Sequence, residues 1–191
     1  MKEIKSKNVK NNWSTKRILA LIGLVLVLGS GSFWVFSQNA NKGNNLANLA
    51  GVVYGSPIIS SNKVSLPLDT LKSDKLVFMD IKLDSPQQQL TYAGRVIPLA
   101  DYRGGAYLPI LMIYTPQGNL VSGIRVCEPC GSFSFHIVDG KLDCDRCHTQ
   151  WNLETLKGIS GGCQSFPPPR LSSTLANSPS VDLSSTGLRF A

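Results

Sequence analysis

The stretch that decides the fold is CEPCGSFSFHIVDGKLDCDRC, residues 127–147. It begins and ends with a Cys-x-x-Cys pair, and thirteen residues separate the two pairs. The four paired cysteines are Cys127, Cys130, Cys144 and Cys147. Between them, alternating segments flank Asp139-Gly140, and this pattern predicts a β-hairpin with a tight turn. Because a hairpin returns the chain to its start, we expect the second pair to meet the first.

Two Cys-x-x-Cys loops that meet in this way place four sulfurs at the corners of a tetrahedron, as in zinc ribbons and rubredoxins. Tetrahedral sulfur ligation suits either zinc or iron. The spacing therefore predicts a metal centre on the four paired cysteines and leaves the identity of the metal open.

Two nearby residues extend the site. Cys163 follows Gly161-Gly162 and is either a spare thiol near the centre or a ligand that displaces one of the other four. His148 directly follows Cys147, where it is a further candidate ligand. It also completes a C-x-x-C-H sequence, the attachment signature of c-type haem. A haem would leave the first cysteine pair unexplained, so haem c is the less favoured cofactor.

Disulfides and a redox-active dithiol use the same cysteines differently. A domain outside the cytoplasm can form disulfides. However, a bridge within either pair would close a very short loop of low stabilising value, and five cysteines is an odd number. A thioredoxin-type dithiol belongs in a βαβ unit, which this sequence does not predict.

A run of 19 residues without a charge, Ile18–Phe36, precedes the cysteine region. As a helix it would measure roughly 28 Å, close to the thickness of a bilayer core. Basic residues before it predict a cytoplasmic N-terminus and an external remainder. A cleaved signal peptide is the competing interpretation, but this run is longer than a usual signal core and lacks a convincing cleavage site. We therefore expect a single-pass protein of the cell membrane.

The remaining sequence predicts one mainly β domain outside the membrane. Short alternating runs rich in Val, Ile, Leu and Tyr are separated by turn residues, and one pair of runs flanks TPQGN as a hairpin loop. The predicted organisation is a basic N-terminus (1–17), an anchor (18–36), a flexible tether (37–51), a β-rich metal-binding domain (52–171) whose metal ribbon spans 120–163, and a disordered tail (172–191).

The net charge of +7 is concentrated at the N-terminus. Six of the basic residues and one acidic residue precede Ile18, which gives +5 there and +2 for the rest of the chain. A basic stripe with interleaved aromatic residues is absent from the sequence, so a nucleic-acid partner is not predicted.

Residues Leu108–Leu171 resemble the membrane iron–sulfur-containing FtrD-like family. Its members carry a strand-turn-strand unit, a C-x-x-C, a hairpin, a second C-x-x-C, and then Gly-Gly-Cys before a proline-containing segment. The resemblance implicates all five cysteines and implies an iron–sulfur cluster or a single iron ion. This sequence departs from the family pattern at His148, where Gly is expected, and in the segment Gln164-Ser-Phe-Pro.

The resemblance further implies a membrane-anchored protein associated with ferrous-iron uptake that passes electrons to a membrane partner, such as a permease or a redox subunit. Such a centre need not catalyse a reaction, so we expect an electron-transfer or metal-binding protein rather than an enzyme. The main alternative is a structural zinc ribbon in a subunit of a membrane complex.

Overall fold

The computed structural model describes residues 48–191. The predicted anchor, Ile18–Phe36, and residues 37–47 of the predicted tether lie outside this part of the chain. Within residues 48–191, no helix is long and apolar enough to cross a bilayer.

The described chain is mainly β, as predicted. Its strands are β1 Asn48–Ala50, β2 Val52–Val53, β3 Ile58–Ser60, β4 Lys63–Ser65, β5 Leu76–Lys82, β6 Leu90–Tyr92, β7 Arg95–Ile97, β8 Tyr107–Tyr114, β9 Leu120–Ile124, β10 Phe135–Val138, β11 Lys141–Cys144, β12 Gln150–Asn152, β13 Gly158–Ser160, β14 Ser172–Thr174 and β15 Ser180–Asp182. One short α-helix, α1 Leu68–Asp74, follows Pro67 among the described residues. Four 3-10 turns complete them: Leu99–Asp101, Arg103–Gly105, Glu128–Cys130 and Ser184–Thr186.

A central sheet, in the order β2-β5-β8-β9, divides the interior into two cores. β5 and β8 pair in antiparallel fashion, with Met79 opposite Ile110 and Phe78 opposite Leu111. Successive side chains of a strand point to opposite faces, so a strand covered on both faces reads as a continuous apolar run. This explains the apolar sequence of Tyr107–Tyr114, whose residues 108–113 are all buried.

The first core, which we call the hydrocarbon core, contains aliphatic side chains of the central sheet and of the flanking segments. Its buried members are Val64, Leu66, Leu71, Val77, Met79, Ile81, Leu83, Leu90, Ile97, Leu99, Leu108, Ile110, Met112, Ile124, Val126, Leu171, Val181 and Leu183. The second, which we call the sulfur core, includes three of the cysteines. Its buried members are Leu76, Phe78, Leu111, Ile113, Val121, Cys127, Phe135, Ile137, Leu142, Cys144, Trp151, Leu153, Leu156 and Cys163.

A five-stranded sheet, in the order β1-β10-β11-β12-β13, carries the cysteine region. The predicted hairpin forms β10 and β11, with Phe135 opposite Cys144. Asp139 and Gly140 both have positive φ, 47° and 72°, as a two-residue type I′ turn requires. The second predicted hairpin is also confirmed, because β8 and β9 pair on either side of the TPQGN loop.

The segment 172–191, predicted to be disordered, is ordered in the structure. β14 and β15 pair with each other, and β15 pairs with β4, so that Val181 lies opposite Val64. Val181 and Leu183 are fully buried in the hydrocarbon core. The prediction failed because it rested on the Ser/Thr-rich composition, whereas two alternate apolar residues suffice to attach a short strand to an existing sheet.

Two further boundaries differ from the sequence analysis. Residues 48–50, assigned to the flexible tether, form β1 and pair with β10. Residues 89–97, one of the short alternating runs, form a two-stranded hairpin rather than a single strand, since Ala93 and Gly94 adopt positive φ and form a turn between β6 and β7. The ordered body therefore extends beyond residues 52–171 at both ends.

Candidate metal centre

The two Cys-x-x-Cys loops are built alike. In the first, the Cys127 N–H donates to the Ser132 carbonyl at 2.8 Å. In the second, the Cys144 N–H donates to the Thr149 carbonyl at 3.1 Å. Each bond joins the first cysteine of a pair to the residue five positions later, so both loops fold back in the same way.

Each loop turns through a left-handed residue placed directly after its second cysteine. This residue is Gly131, with φ 65°, in the first loop and His148, with φ 51°, in the second. Only glycine adopts this conformation without a steric penalty, because it lacks Cβ. The geometry therefore favours glycine at position 148, where this chain has His148.

The structure brings all five cysteine sulfurs together. The Sγ atoms of Cys127 and Cys147 lie 3.9 Å apart, and those of Cys130 and Cys144 lie 3.6 Å apart. Both distances join one loop to the other, so the hairpin places the second pair against the first.

Cys163 joins this cluster from a separate segment. The Sγ atoms of Cys127, Cys130, Cys147 and Cys163 all lie within 4.8 Å of one another. Cys144 is not a member of this mutually close set, although its sulfur contacts that of Cys130. The fifth cysteine thus lies at the site, which has one sulfur more than a tetrahedral ion requires.

The cysteines are free thiols in a largely apolar setting. Cys127 and Cys144 are fully buried and Cys163 is 8% exposed, whereas Cys130 and Cys147 are half-buried. Phe135 and Trp151 are buried in the same core, and the Trp151 indole N–H donates to the Gln164 carbonyl at 3.2 Å. The sulfurs are therefore shielded from water on one side and partly exposed at Cys130 and Cys147.

Crowding of the sulfurs separates their pKa values. Hydrogen bonding from Cys127 lowers the pKa of Cys144 to about 4, although burial opposes this shift. Hydrogen bonds from Ser132 and from the backbone N–H groups of Cys147 and Arg146 contribute to the same lowering. The pKa of Cys127 is raised, because its thiol is hydrogen-bonded to Cys144 and is buried. Burial raises the pKa of Cys130 to about 11. The lowered pKa of Cys144 thus contrasts with the raised pKa values of Cys127 and Cys130, and a bound cation would favour the ionised form of each thiol.

The two histidines lie outside the sulfur group. The His148 side chain is 75% exposed, and its Nδ1 lies 3.4 Å from an Asp143 carboxylate oxygen. His136 is half-buried, and its Nδ1 contacts the carboxylate of Asp145. Neither imidazole belongs to the set of mutually close metal-binding atoms in residues 48–191.

Sequence reasoning missed a buried hydroxyl beside the sulfurs. Thr149 is fully buried, and its Oγ1 lies 3.3 Å from Cys147 Sγ. The same oxygen accepts a hydrogen bond from the Cys163 N–H at 3.1 Å. A signal was present in the sequence, since the residue five positions after the first cysteine of each pair carries a hydroxyl, Ser132 or Thr149.

The donor set fits a sulfur-ligated metal. A cluster of thiols, one of them with a lowered pKa, matches the requirements of iron–sulfur centres and of tetrahedral zinc. With metal–sulfur bonds of about 2.3 Å, two ligands of one tetrahedral ion are ~3.8 Å apart. The observed sulfur contacts of 3.6 and 3.9 Å agree with this distance.

Comparison with known proteins places the site in a family. The family model described as membrane iron-sulfur containing protein FtrD-like matches residues 96–185, which include all five cysteines. Searches of curated proteins and of solved structures gave no match. The resemblance carried by the cysteine pattern is therefore confirmed, since residues 96–185 match the model of the FtrD-like family of membrane iron–sulfur containing proteins.

Proposed function

We propose that this protein carries an iron centre, as a cluster or a single ion, and uses it to transfer electrons at the outer face of a membrane. The observation that carries the proposal is the convergence of five free cysteine sulfurs in one cluster. The family match supports the choice of iron, because the matching family is described as iron–sulfur containing.

The four paired cysteines are the proposed ligands. Cys163 completes the set of mutually close sulfurs, but Cys144 is the sulfur best prepared to bind a cation. Backbone N–H groups of Cys147 and Arg146 hydrogen bond to Cys144, and its pKa is lowered to about 4. Such N–H donors are what a thiolate ligand in a Cys-x-x-Cys loop requires. Cys163 is then a fifth thiol beside the centre.

Electron transfer is supported by the uneven burial of the site. The sulfur core covers one side of the cluster, while Cys130 and Cys147 are half-buried and reach the surface. A shielded side excludes water from the centre and influences its potential. An accessible side allows a partner to approach closely, which a purely structural site does not need.

The proposed cellular setting rests on the N-terminal sequence and on the description of the matching family. The charge-free run 18–36 and the basic residues before it support a single membrane anchor with a cytoplasmic N-terminus. The description of the matching family as a membrane protein agrees with this. The proposed partner is a membrane protein, either a redox subunit or a permease for ferrous iron, with which the centre exchanges electrons.

Metal analysis and absorption spectra of the purified full-length protein test the proposal. We expect stoichiometric iron and a broad visible absorption that bleaches on reduction. Cys130→Ser should lose the iron, whereas the matched variant His148→Ala should keep it, because its imidazole lies outside the sulfur group. The reverse pattern, together with covalently bound haem, would establish the c-type haem alternative through Cys144, Cys147 and His148.

A structural zinc ribbon is the second candidate, and one observation supports a single ion, of zinc or of iron, rather than a cluster. The sulfur contacts of 3.6 and 3.9 Å match the edge of a tetrahedron around a single ion. A cluster of several irons holds its ligand sulfurs farther apart, because the metal ions lie between them. A colourless protein that contains one equivalent of zinc and keeps it through reduction and oxidation would establish this function.

The proposed topology has its own test. A periplasmic-type reporter enzyme fused after Asn48 should be active, and a reporter that works only in the cytoplasm should be inactive at the same site. Fusions before Ile18 should give the opposite result. Activity of the cytoplasmic reporter after Asn48 would overturn the proposed orientation.

A further inference from the structure

The hydroxyl of Thr149 connects two cysteines that the chain brings in from different segments. Its Oγ1 accepts the backbone N–H of Cys163 at 3.1 Å and lies 3.3 Å from Cys147 Sγ. The side chain is fully buried, so water does not compete for either interaction. Thr149 therefore holds the Gly-Gly-Cys segment against the second Cys-x-x-Cys loop.

The hydrogen of this hydroxyl has one available acceptor. The oxygen is already the acceptor of the Cys163 N–H, and within residues 48–191 the other hydrogen-bonding neighbour of Oγ1 is the sulfur of Cys147. A thiol can donate to the hydroxyl, but a metal-bound thiolate has no proton. Once Cys147 is a thiolate, the Thr149 O–H becomes the donor and the sulfur the acceptor.

The neighbouring glycine is required for this approach. Gly161 has φ 98°, and a Cβ built on it would lie 2.5 Å from Thr149 Oγ1. A side chain at position 161 would thus push the hydroxyl away from the sulfur. The glycine preceding the fifth cysteine has a specific role, namely to let the backbone close over Thr149.

The equivalent residue of the first loop differs in one respect. Ser132 is also buried and occupies the same position relative to its cysteine pair. Its hydroxyl donates to the Ser134 carbonyl at 3.1 Å, whereas that of Thr149 has no backbone acceptor among the described residues. The Ser132 hydroxyl is thus divided between a backbone carbonyl and the Cys144 sulfur, whereas among the described residues that of Thr149 has a sulfur as its acceptor.

We propose that Thr149 is a positioning residue of the metal centre, which donates a hydrogen bond to the Cys147 thiolate and thereby tunes the electron density on that ligand. This inference rests on the proposed metal centre. Hydrogen bonds to ligand sulfurs are among the protein's means of setting the potential of such centres. A donor to a thiolate stabilises the more negative, reduced state, so Thr149 raises the midpoint potential of an iron centre.

The test compares Thr149→Val, which removes the hydroxyl at nearly constant volume, with Thr149→Ser, which retains it. Full-length proteins are reduced, loaded with Co(II) as a probe and titrated with a chelator. In Thr149→Val we expect the thiolate-to-cobalt charge-transfer band to move to longer wavelength and cobalt to be lost more readily. Thr149→Ser should restore both values. In iron-loaded protein, the midpoint potential of Thr149→Val should shift to more negative values.

Thr115→Val is the matched control for losing a buried threonine hydroxyl. Thr115 is 1% exposed, and its Oγ1 accepts the Asn119 N–H at 3.0 Å, away from the cysteines. The Thr115→Val substitution should lower the thermal stability without shifting the cobalt charge-transfer band. An unchanged band and chelator sensitivity in Thr149→Val would overturn the inference, while failure of the wild-type protein to bind iron or cobalt would overturn the proposed function instead.

Discussion

The two cores on either face of the central sheet are stabilised by different interactions. The hydrocarbon core consists of aliphatic side chains such as Met79 and Ile110, and its stability comes from removing apolar surface from water. The sulfur core contains the fully buried thiols of Cys127 and Cys144 among aromatic and aliphatic side chains. Ionised thiolates in such surroundings are costly without a counter-charge. We therefore expect the second core to depend on metal and the first to be independent of it.

The same sheet supports both cores because neighbouring residues of a strand face opposite sides. In β5, Val77 and Met79 belong to the hydrocarbon core, and Leu76 and Phe78 belong to the sulfur core. A change on one face thus leaves the strand and its hydrogen bonds in place. Substitutions on the two faces can therefore separate folding from metal binding.

The largest effect should follow from Cys144→Ser. Metal binding to small sulfur sites supplies folding free energy on the order of 10 kcal/mol. We expect loss of metal together with loss of amide protection in β10, β11 and β12, while β5 and β8 remain protected. Hydrogen exchange of the metal-loaded wild type and the variant measures this directly. A variant that keeps its protection pattern without metal would show that the sulfur core is stable by itself.

The next largest effect should come from Met79→Ala in the hydrocarbon core. Met79 is fully buried opposite Ile110, and truncation of such a side chain costs about 2–5 kcal/mol. We expect lower unfolding free energy in urea but unchanged metal stoichiometry and spectrum. Loss of metal in the folded variant would mean that the two cores are not separable.

Metal affinity should rise with pH. In the metal-free protein the pKa values of Cys127 and Cys130 are raised, that of Cys130 to about 11, whereas that of Cys144 is lowered to about 4. At neutral pH the first two must release protons to become ligands, and Cys144 has already done so. Each released proton changes the affinity about tenfold per pH unit, so we expect the two protons to give roughly 100-fold per unit between pH 6 and 8.

Competition with a chelator whose own affinity is known at each pH measures this slope. The difference in unfolding free energy between Met79→Ala and the wild type serves as a control. It should not depend on pH, because no titrating group is involved in that substitution. An affinity that does not change between pH 6 and 8 would indicate that the ligands are already thiolates in the metal-free protein.

The smallest effect should be that of His148→Gly. The left-handed conformation at position 148 costs about 1–2 kcal/mol for a residue with Cβ. Glycine avoids this cost, but its greater conformational freedom in the unfolded chain lowers the folding stability by about 0.5–1 kcal/mol. We expect the unfolding free energy to rise by about 0.5 kcal/mol with metal retained. Loss of metal on denaturant-free dialysis of this variant would identify His148 as a ligand.

Much of the site region could be predicted from local sequence. The turn at Asp139-Gly140 and the alternation around it specify a hairpin, and the spacing of the two cysteine pairs then brings their sulfurs together. The apolar run of β8 likewise predicts a strand, although its burial on both faces emerges only when the second core is in place. The Ser/Thr-rich tail misled the analysis, because its order comes from pairing with β4, more than a hundred residues earlier in the chain.

The sequence by itself determined the hairpin and the meeting of the two cysteine pairs, because turn conformation and strand alternation depend on residues next to each other in the chain. The sequence also indicated that Cys163 lies near the centre, but tertiary structure alone decided which sulfurs it approaches and that Thr149 lies between Cys147 and Cys163. These contacts arise where β13 and the segment after it fold back onto the second loop. Their distances depend on how a buried hydroxyl and a glycine backbone fit together, which no local pattern specifies.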